Sequence, residues 1–156
     1  MIYWFTGQSG SGKTVLGEKL HKFLKTEQRN WRKNVFHIDG DTLRIITNNK
    51  DYSDNGRRLN IKSAQTIVEY LHINKCDVVV SMVSPFLDLR EEFKDKMGSD
   101  LVEIYVHCSI DRSRSEFKVV DFNPPQINFI DIDTTKNSEA ISFSKLINHL
   151  NKLDKL

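Results

Sequence analysis

The residues best suited to chemistry form a glycine-rich run near the start of the chain. Eight consecutive residues match the pattern G-x-x-x-x-G-K-[S/T], namely Gly7, Gln8, Ser9, Gly10, Ser11, Gly12, Lys13 and Thr14. Glycines let backbone N–H groups turn inward around phosphate oxygens, and a following helix would add its dipole there. Lys13 is expected to reach the β- and γ-phosphates of ATP, and Thr14 to place its hydroxyl on Mg²⁺. The pattern therefore predicts a phosphate loop with ATP and Mg²⁺ as cofactors.

A second group of polar residues, Asp39-Gly40-Asp41, ends the next apolar run. In an open α/β sheet the carboxyl ends of the strands face the ligand crevice, which would put both carboxylates beside the phosphate loop. One of them could take the proton from an attacking hydroxyl or help to hold Mg²⁺. We predict that Asp39, which ends the strand, is catalytic and binds the metal. For Asp41 two interpretations stay open, a site residue or the N-cap of the next helix, and Arg44 is expected to bind an anionic substrate.

These groups need a scaffold, and the hydrophobic pattern indicates which one. Short apolar runs typical of buried strands alternate with stretches in which apolar residues recur at helical spacing. Strands are predicted over residues 2–6, 35–38, 77–82, 101–106 and 127–132, and helices over roughly 12–25, 59–71, 85–96 and 141–150. This alternation predicts a P-loop NTPase-type α/β fold, a doubly wound parallel five-stranded sheet with helices on both faces.

Length and composition limit the remaining possibilities. The 156 residues fit a single domain over residues 1–156, and 38% hydrophobic residues suffice for a core. A net charge of +2 does not point to nucleic acid as a partner, although it does not exclude one. No apolar stretch approaches the ~20 residues needed to span a bilayer, and the N-terminus lacks a signal-peptide pattern. We therefore expect a cytoplasmic protein without a membrane partner.

Four segments, taken in order, resemble the adenylylsulfate (APS) kinase family of P-loop kinases. The resemblance covers roughly residues 2–108 and returns weakly at 121–135. Two of the segments are the start of the chain through the phosphate loop and the Asp-Gly-Asp motif with the arginine that follows it. The other two are Tyr52-Ser53 with Arg57 and Asn60, and Val83-Ser84-Pro85-Phe86 with Arg90. Phosphate loops are widespread, but four matches at the same spacing are much more specific.

Members of that family transfer a phosphoryl group from ATP to the 3′-hydroxyl of adenosine 5′-phosphosulfate. The resemblance therefore implies that Asp39 is the catalytic base, with Lys13 at the phosphates. It also implies an acceptor pocket in which Tyr52 stacks on the base and Arg57 pairs with the 5′ anionic group. The other residues implied to bind the acceptor are Asp41, Arg44, Asn60, Val83 and Ser84. From the residues alone, Tyr52 could instead pin a long loop, and Arg57 could be a solvated helix residue.

The chain departs from the family after the fourth predicted strand. Residues 109–126 contain neither family lid motif, arginine-aspartate-proline-lysine-glycine-leucine-tyrosine or phenylalanine-threonine-glycine. The second aromatic that sandwiches the base in the family is therefore missing, and Phe117 or Phe122 is the candidate replacement. Arg112, assigned to ATP binding, and Arg114 are the candidates for the lid cations.

The sequence thus predicts a kinase that depends on ATP and Mg²⁺ and phosphorylates APS, a small-molecule nucleotide. Two departures from the family, the missing lid motifs and Gly56 in place of the aspartate before Arg57, leave the identity of the acceptor open. Two alternatives therefore remain. One is a kinase of the same fold that acts on another hydroxyl, on a nucleoside or nucleotide, a nucleic-acid 5′-end or a sugar acid. The other is an ATP-binding module without catalysis that regulates a larger protein. A homodimer also stays open.

Overall fold

The structure, a computed structural model, describes residues 1–26, 34–110 and 117–156, over which strands and helices alternate. In chain order the strands are β1 (Ile2–Thr6), β2 (Val35–Asp39), β3 (Asp77–Ser81), β4 (Leu101–His107) and β5 (Phe129–Asp133). The helices are α1 (Lys13–Thr26), α2 (Gly40–Ile46), α3 (Asp54–Ile73), α4 (Leu87–Met97) and α5 (Glu139–Lys152). The predicted α/β alternation is confirmed.

The strands form one parallel sheet in the order β2-β3-β1-β4-β5. β1 lies at the centre and is buried along its whole length, as its continuous apolar run predicts. Alternate side chains serve the two faces, with Tyr3 and Phe5 in one core cluster and Ile2 and Trp4 in the other. The prediction of a five-stranded parallel sheet covered on both faces is therefore confirmed.

Helices α1 and α5 cover one face of the sheet, and α3 and α4 cover the other. The first core includes Leu16, Leu20, Leu146 and Leu150, and the second includes Ile61, Ala64, Val68, Leu89 and Phe93. Each large side chain buried in this way contributes about 1.5–3 kcal/mol, which outweighs the small differences in helix propensity. Within the described residues, no helix combines the length and apolar character needed to cross a membrane.

Helix α1 approaches the sheet most tightly at Gly17. A Cβ at this position would lie 2.1 Å from Ser81 Oγ and 3.1 Å from His37 Nε2. These two polar groups lie 3.0 Å apart, and Ser81 Oγ donates to the carbonyl oxygen of Lys13 at 3.3 Å. Because Ser81 ends β3, the contact joins the sheet to the first turn of α1 and so positions the loop that precedes it.

The last strand begins later than the sequence predicts, at Phe129 rather than at residue 127. Asn128 has a φ of 53°, in the left-handed region, which cannot continue an extended strand. Ile127 is exposed, so its apolar side chain belongs to a turn and not to the core. The apolar run misled the prediction because an isolated exposed isoleucine has the same pattern as the start of a buried strand.

Candidate active site

A cavity of about 680 Å³ opens at the carboxyl ends of the strands, within the usual range for small-molecule sites. It extends from the phosphate loop to the loop that precedes α3. The predicted site residues that line it are Ser9, Gly10, Gly12, Lys13, Thr14, Asp39, Asp41, Arg44, Tyr52, Arg57, Asn60 and Val83. The structure thus gathers most of the predicted ATP and acceptor residues around one space.

The phosphate loop depends on backbone conformations that glycine allows. Gly7, Gly10 and Gly12 have φ angles of 145°, 78° and 98°, which other residues rarely adopt. At Gly7 space is limiting as well, because a Cβ would lie 2.0 Å from the carbonyl oxygen of Val106 on β4. This conformation is the one that a backbone nest for phosphate oxygens requires.

Lys13 lies inside the curve of this loop and is only 6% exposed. Its Nζ donates to the carbonyl oxygen of Gln8 at 2.7 Å and lies 3.5 Å from Ser11 Oγ. The carbonyl of Ser11 in turn accepts a hydrogen bond from the Thr134 hydroxyl at 2.9 Å, just after β5. No local sequence pattern indicates Thr134 as a support of the loop, because Thr134 and Ser11 are 123 positions apart.

Thr14 and Asp39 meet at the mouth of the loop, where the Thr14 hydroxyl donates to Asp39 Oδ2 at 3.0 Å. A hydroxyl and a carboxylate are ligands that suit Mg²⁺, which commonly takes few protein ligands and completes its shell with water and phosphate oxygens. In the described ranges, no three His, Cys, Asp or Glu side chains cluster to hold a metal by themselves. The donor set therefore fits a metal that the protein and a nucleotide hold jointly.

Asp39, and not Asp41, is the N-cap of α2. Its Oδ1 accepts hydrogen bonds from the N–H groups of Asp41 and Thr42 at 3.0 and 3.1 Å. Asp41 is already in the first turn, because the helix begins at Gly40. The interpretation of Asp41 as the cap is therefore wrong, whereas its role as a site residue stays a prediction. The cap fixes the Asp39 carboxylate, with Oδ1 on the helix and Oδ2 on Thr14.

Two arginines hold Tyr52 at the far end of the cavity. The Arg44 guanidinium lies 4.3 Å from the centre of the Tyr52 ring and donates to the carbonyl oxygen of Asp51 at 2.7 Å. Arg57 Nε donates to the carbonyl oxygen of Tyr52, also at 2.7 Å. Burial lowers the pKa of Arg44, and the nearby positive charge of Arg57 acts in the same direction. Two cations placed this close to one another favour an anionic ligand.

Asn60 contributes a buried acceptor on α3. The side chain is only 4% exposed, and its Nδ2 donates to the carbonyl oxygen of Gly40 at 3.2 Å. Its Oδ1 is buried and has no hydrogen-bond partner within the part of the chain that the structure describes. A buried acceptor without a partner costs about 1–3 kcal/mol. Asn60 lines the cavity, so this acceptor lies next to the space in which a ligand would bind.

Gly56, just before Arg57, lies where a larger residue would not fit. A Cβ there would come within 2.2 Å of the Asp51 carbonyl oxygen and 2.5 Å of its carboxyl carbon. The carbonyl oxygen of Gly56 also accepts a hydrogen bond from Asn49 Nδ2 at 2.8 Å. The glycine therefore lets the loop before α3 fold tightly against the first turn of that helix, which places Tyr52.

Ser84 does not reach the cavity, although its neighbour Val83 does. The residue is fully buried, and its Oγ accepts a hydrogen bond from the Trp4 indole at 3.1 Å. Its carbonyl oxygen accepts from the Thr6 hydroxyl at 3.3 Å and from Arg90. Ser84 thus joins β1 to the segment after β3, and the structure gives its side chain a supporting place behind the cavity wall.

Of the two candidates for the missing aromatic, Phe117 lines the cavity. Its ring centre lies 5.8 Å from that of Tyr52. Phe122 instead stacks on Tyr105, with the ring centres 6.0 Å apart, and Tyr105 is not part of the cavity lining. The structure therefore favours Phe117, whose ring contacts Tyr52 at a tilt of 45°, as the second aromatic of the cavity.

Three predicted ATP contacts in the phosphate loop do not line the cavity, namely Gly7, Gln8 and Ser11. The side-chain amide of Gln8 is hydrogen-bonded to the backbone of Val119 instead. Arg112 and Arg114, the candidates for the lid cations, lie outside the described residues.

The chain matches a known protein family. Residues 1–118 match the family model described as adenylylsulphate kinase. An adenylyl-sulfate kinase of Picosynechococcus sp. is 34% identical over 109 residues, 69% of this chain and 59% of the relative. Cytidine diphosphoramidate kinase of Campylobacter jejuni is 33% identical over 110 residues, 70% of this chain and 61% of the relative. The matched part thus spans about three fifths of the length of these relatives.

A solved structure with a similar fold is that of Mycobacterium tuberculosis APS kinase CysC in complex with AMPPNP and APS. It aligns with 96% of this chain and 96% of its own chain, with a TM-score of 0.80 and 19% sequence identity. At this identity the similarity establishes the fold, while the chemistry has to be argued from the residues of the cavity.

Proposed function

This chain belongs to the adenylylsulphate kinase family, and from that premise we propose that it transfers the γ-phosphoryl group of ATP to a hydroxyl of an anionic nucleotide. The proposed acceptor is the 3′-hydroxyl of adenosine 5′-phosphosulfate. One observation carries the proposal: the phosphate loop shares a continuous cavity with Tyr52, Arg57 and Asn60. A phosphoryl donor and a nucleotide acceptor can therefore be bound side by side.

On the donor side, the backbone N–H groups of the loop and the Lys13 ammonium bind the phosphates of ATP. Lys13 Nζ leaves the Gln8 carbonyl for the phosphate oxygens, so the loop is preorganised around a positive charge. The Thr14 hydroxyl would hold the metal directly, and Asp39 Oδ2, 3.0 Å from that hydroxyl, would hold it through a metal-bound water, which leaves this oxygen able to take a proton. Bound Mg²⁺ supplies neutralisation of the charge that develops on the phosphates.

Asp39 is the proposed base. Its Oδ1 is engaged by the amides of α2, whereas Oδ2 is on the side of Thr14 and the phosphate loop. As the acceptor oxygen attacks phosphorus, its proton passes to Asp39, the new O–P bond forms and the bond to ADP breaks. The N-cap hydrogen bonds keep the carboxylate in one orientation, which is the geometric condition that such a transfer needs.

On the acceptor side, three kinds of recognition converge. The Tyr52 ring offers a stacking surface for a base, a contact worth about 1–3 kcal/mol in other nucleic-acid binders. Arg57 and Arg44 provide positive charge for the phosphosulfate group. Asn60 Oδ1 accepts from a hydroxyl or amino group. This set favours an anionic nucleotide over a neutral sugar.

The test is ADP formation by the purified chain with Mg²⁺ and ATP at saturation and increasing APS. We expect turnover that depends on APS, and none in Lys13→Ala, whose circular dichroism spectrum should be unchanged. If no acceptor raises ADP formation above the background without acceptor, the chain is an ATP-binding module and the proposal fails. Activity with a 5′-hydroxyl oligonucleotide or gluconate, but not with APS, would move the chain to another kinase class.

A matched pair of variants tests the acceptor pocket. Arg57→Ala should raise the KM for APS by about tenfold or more, because it leaves an anionic group unpaired. Arg58→Ala is the control, since Arg58 lies outside the cavity and pairs with Asp88 at 2.7 Å on the surface. Equal KM values in the two variants would place the acceptor elsewhere.

A second candidate acceptor is a cytidine nucleotide. It is favoured by the 33% identity to Cytidine diphosphoramidate kinase, which is as high as for several adenylyl-sulfate kinases. The pocket has the charge for a diphosphate, and a tyrosine stacks on either base. Cytidine 5′-diphosphate assayed beside APS separates the two, and the acceptor with the higher kcat/KM identifies the base.

A further inference from the structure

The side chain of Gln8 has a protein partner although it lies in the phosphate loop. Its Nε2 donates to the carbonyl oxygen of Val119 at 2.6 Å, and its Oε1 accepts from the N–H of Val119 at 3.0 Å. The amide nitrogen and the amide oxygen of Gln8 therefore both bond to the backbone of Val119, as the backbone of a neighbouring strand would. The contact spans 111 residues of chain and joins the ATP half of the site to the segment that replaces the family's lid.

The residue held in this way is two positions from the ring that contacts Tyr52. Val119 is buried, whereas Phe117 is 42% exposed and therefore lacks the packing that would fix its ring by itself. Farther along, Asn123 N–H donates to the carbonyl oxygen of Pro85 at 3.0 Å. The described segment 117–123 is thus attached to the molecule at both ends, and Gln8 makes the attachment nearer to the cavity.

One face of the Tyr52 ring is covered by Arg44, so a base must stack on the other face. Phe117 lines the same cavity, and its ring centre lies 5.8 Å from that of Tyr52, so the two rings are in contact and would have to separate to admit a base between them. Since the side chain of Phe117 is 42% exposed, the backbone of the segment has a large part in setting where this ring lies. A contact that holds the backbone of Val119 therefore affects the affinity for a base that binds beside Tyr52.

We propose that Gln8 is a positioning residue for the acceptor: by holding the backbone of Val119, it keeps Phe117 beside Tyr52 and so sets the affinity for the acceptor base. This inference rests on the proposed function and deepens it. It assigns to a phosphate-loop side chain a role in the acceptor half of the site, whereas the glycines and Lys13 of the same loop serve ATP. Gln8 acts through Phe117 and does not touch the reacting atoms.

The experiment compares Gln8→Met, which keeps the length of the side chain and loses both hydrogen bonds, with Val120→Ala. Val120 is the matched control, because it is the next residue of the same segment and its side chain is 97% exposed. With APS as the probe, Gln8→Met should raise the acceptor KM about 5- to 10-fold, since two hydrogen bonds are lost. The KM for ATP and kcat should change less than about twofold, and Val120→Ala should match the wild type.

A double variant decides whether Gln8 acts through Phe117. Phe117→Ala should raise the acceptor KM, and adding Gln8→Met to it should raise the KM no further, because the ring to be positioned is gone. The inference would be overturned if the double variant multiplied the increases in acceptor KM of the two single variants. An unchanged acceptor KM in Gln8→Met would overturn it as well. So would a parallel loss of ATP affinity, which would mean a general distortion of the loop.

Failure of the proposed function looks different. If the wild type turns over neither APS nor cytidine 5′-diphosphate, the kinase proposal falls, and the role of Gln8 in acceptor affinity falls with it. Amide hydrogen exchange then reports on the contact itself. Faster exchange of the Val119 N–H in Gln8→Met would show that the hydrogen bonds between Gln8 and Val119 form but have no role in acceptor affinity. Equal exchange in the two proteins would show that these hydrogen bonds do not stabilise the segment.

Discussion

At the scale of single residues, the site depends on a carboxylate that performs two tasks with its two oxygens. Asp39 Oδ1 caps α2, while Oδ2 accepts from Thr14 beside the phosphate loop. The cap fixes the carboxylate in the orientation that the proposed chemistry needs. The two roles are separable by substitution, because asparagine is as good an N-cap as aspartate and carries no charge.

Asp39→Asn should therefore keep the stability and lose the activity. We expect kcat to fall by about 10²-fold or more, because the proposed proton acceptor and the negative charge beside the metal are lost together. The melting temperature should stay close to that of the wild type. Asp41→Asn is the control, since Asp41 lies in the first turn of the same helix and should lose less activity. Small and equal losses in both variants would remove Asp39 from the catalytic centre.

At the scale of elements, Arg90 on α4 connects three parts of the chain. Its Nε lies 2.8 Å from Glu103 Oε1 on β4, and its guanidinium also donates to the carbonyl oxygens of Ser84 and, at 2.5 Å, Asn123. Glu103 makes a second ion pair with Lys94 at 3.0 Å. Arg90 and Glu103 are 4% and 2% exposed. This network orients the segment after β3, in which Met82 and Val83 line the cavity, and the end of segment 117–123 that lies away from the cavity.

Arg90→Met should reduce the free energy of unfolding by about 3–5 kcal/mol, because a buried carboxylate loses one of its partners. Urea denaturation followed by circular dichroism measures the change. Arg58→Met provides the comparison: its pair with Asp88 is exposed, and exposed ion pairs are worth about 1 kcal/mol or less. A cost for Arg90→Met no larger than that of Arg58→Met would show that the network is not what holds these loops.

At the scale of the whole molecule, the strand order explains where the cavity opens. From β1 the chain crosses to β2 on one side of the sheet, and from β3 it crosses to β4 on the other side of β1. The connections after β1 and β3 therefore run in opposite directions from the centre of the sheet. A crevice opens at such a point. His37 lies within this framework, between Gly17 of α1 and Ser81 of β3, with the His21 ring 5.9 Å away.

Burial lowers the pKa of His37 below its usual value of about 6.5, and His21 acts in the same direction, while Asp39 and Glu18 oppose the shift. Below pH about 6.5 the unfolded chain then binds more protons than the folded one at this residue. Stability should be fully present above that pH and decline as the pH falls through it. His37→Gln cannot titrate, so its melting temperature should drop less between pH 7.5 and 5.5 than that of the wild type. An identical drop would assign the acid sensitivity to other groups.

The sequence by itself determined the features that depend on neighbouring residues. The phosphate loop from Gly7 to Thr14 is recognisable because its glycines, lysine and threonine act at fixed spacing on one turn of backbone. The parallel sheet is recognisable because buried strands and amphipathic helices have different periods. Local patterns failed where the same residues allow two outcomes, as with the exposed Ile127 and with Asp41 as the cap.

Only the tertiary structure decided what the side chains of this scaffold touch. It placed Phe117 rather than Phe122 in contact with Tyr52, turned Ser84 toward Trp4 and gave Gln8 a partner 111 residues away. The physical reason is that these contacts join segments distant in the chain. Their hydrogen bonds and stacked rings depend on how the sheet and helices come together, and no spacing within one segment encodes that arrangement.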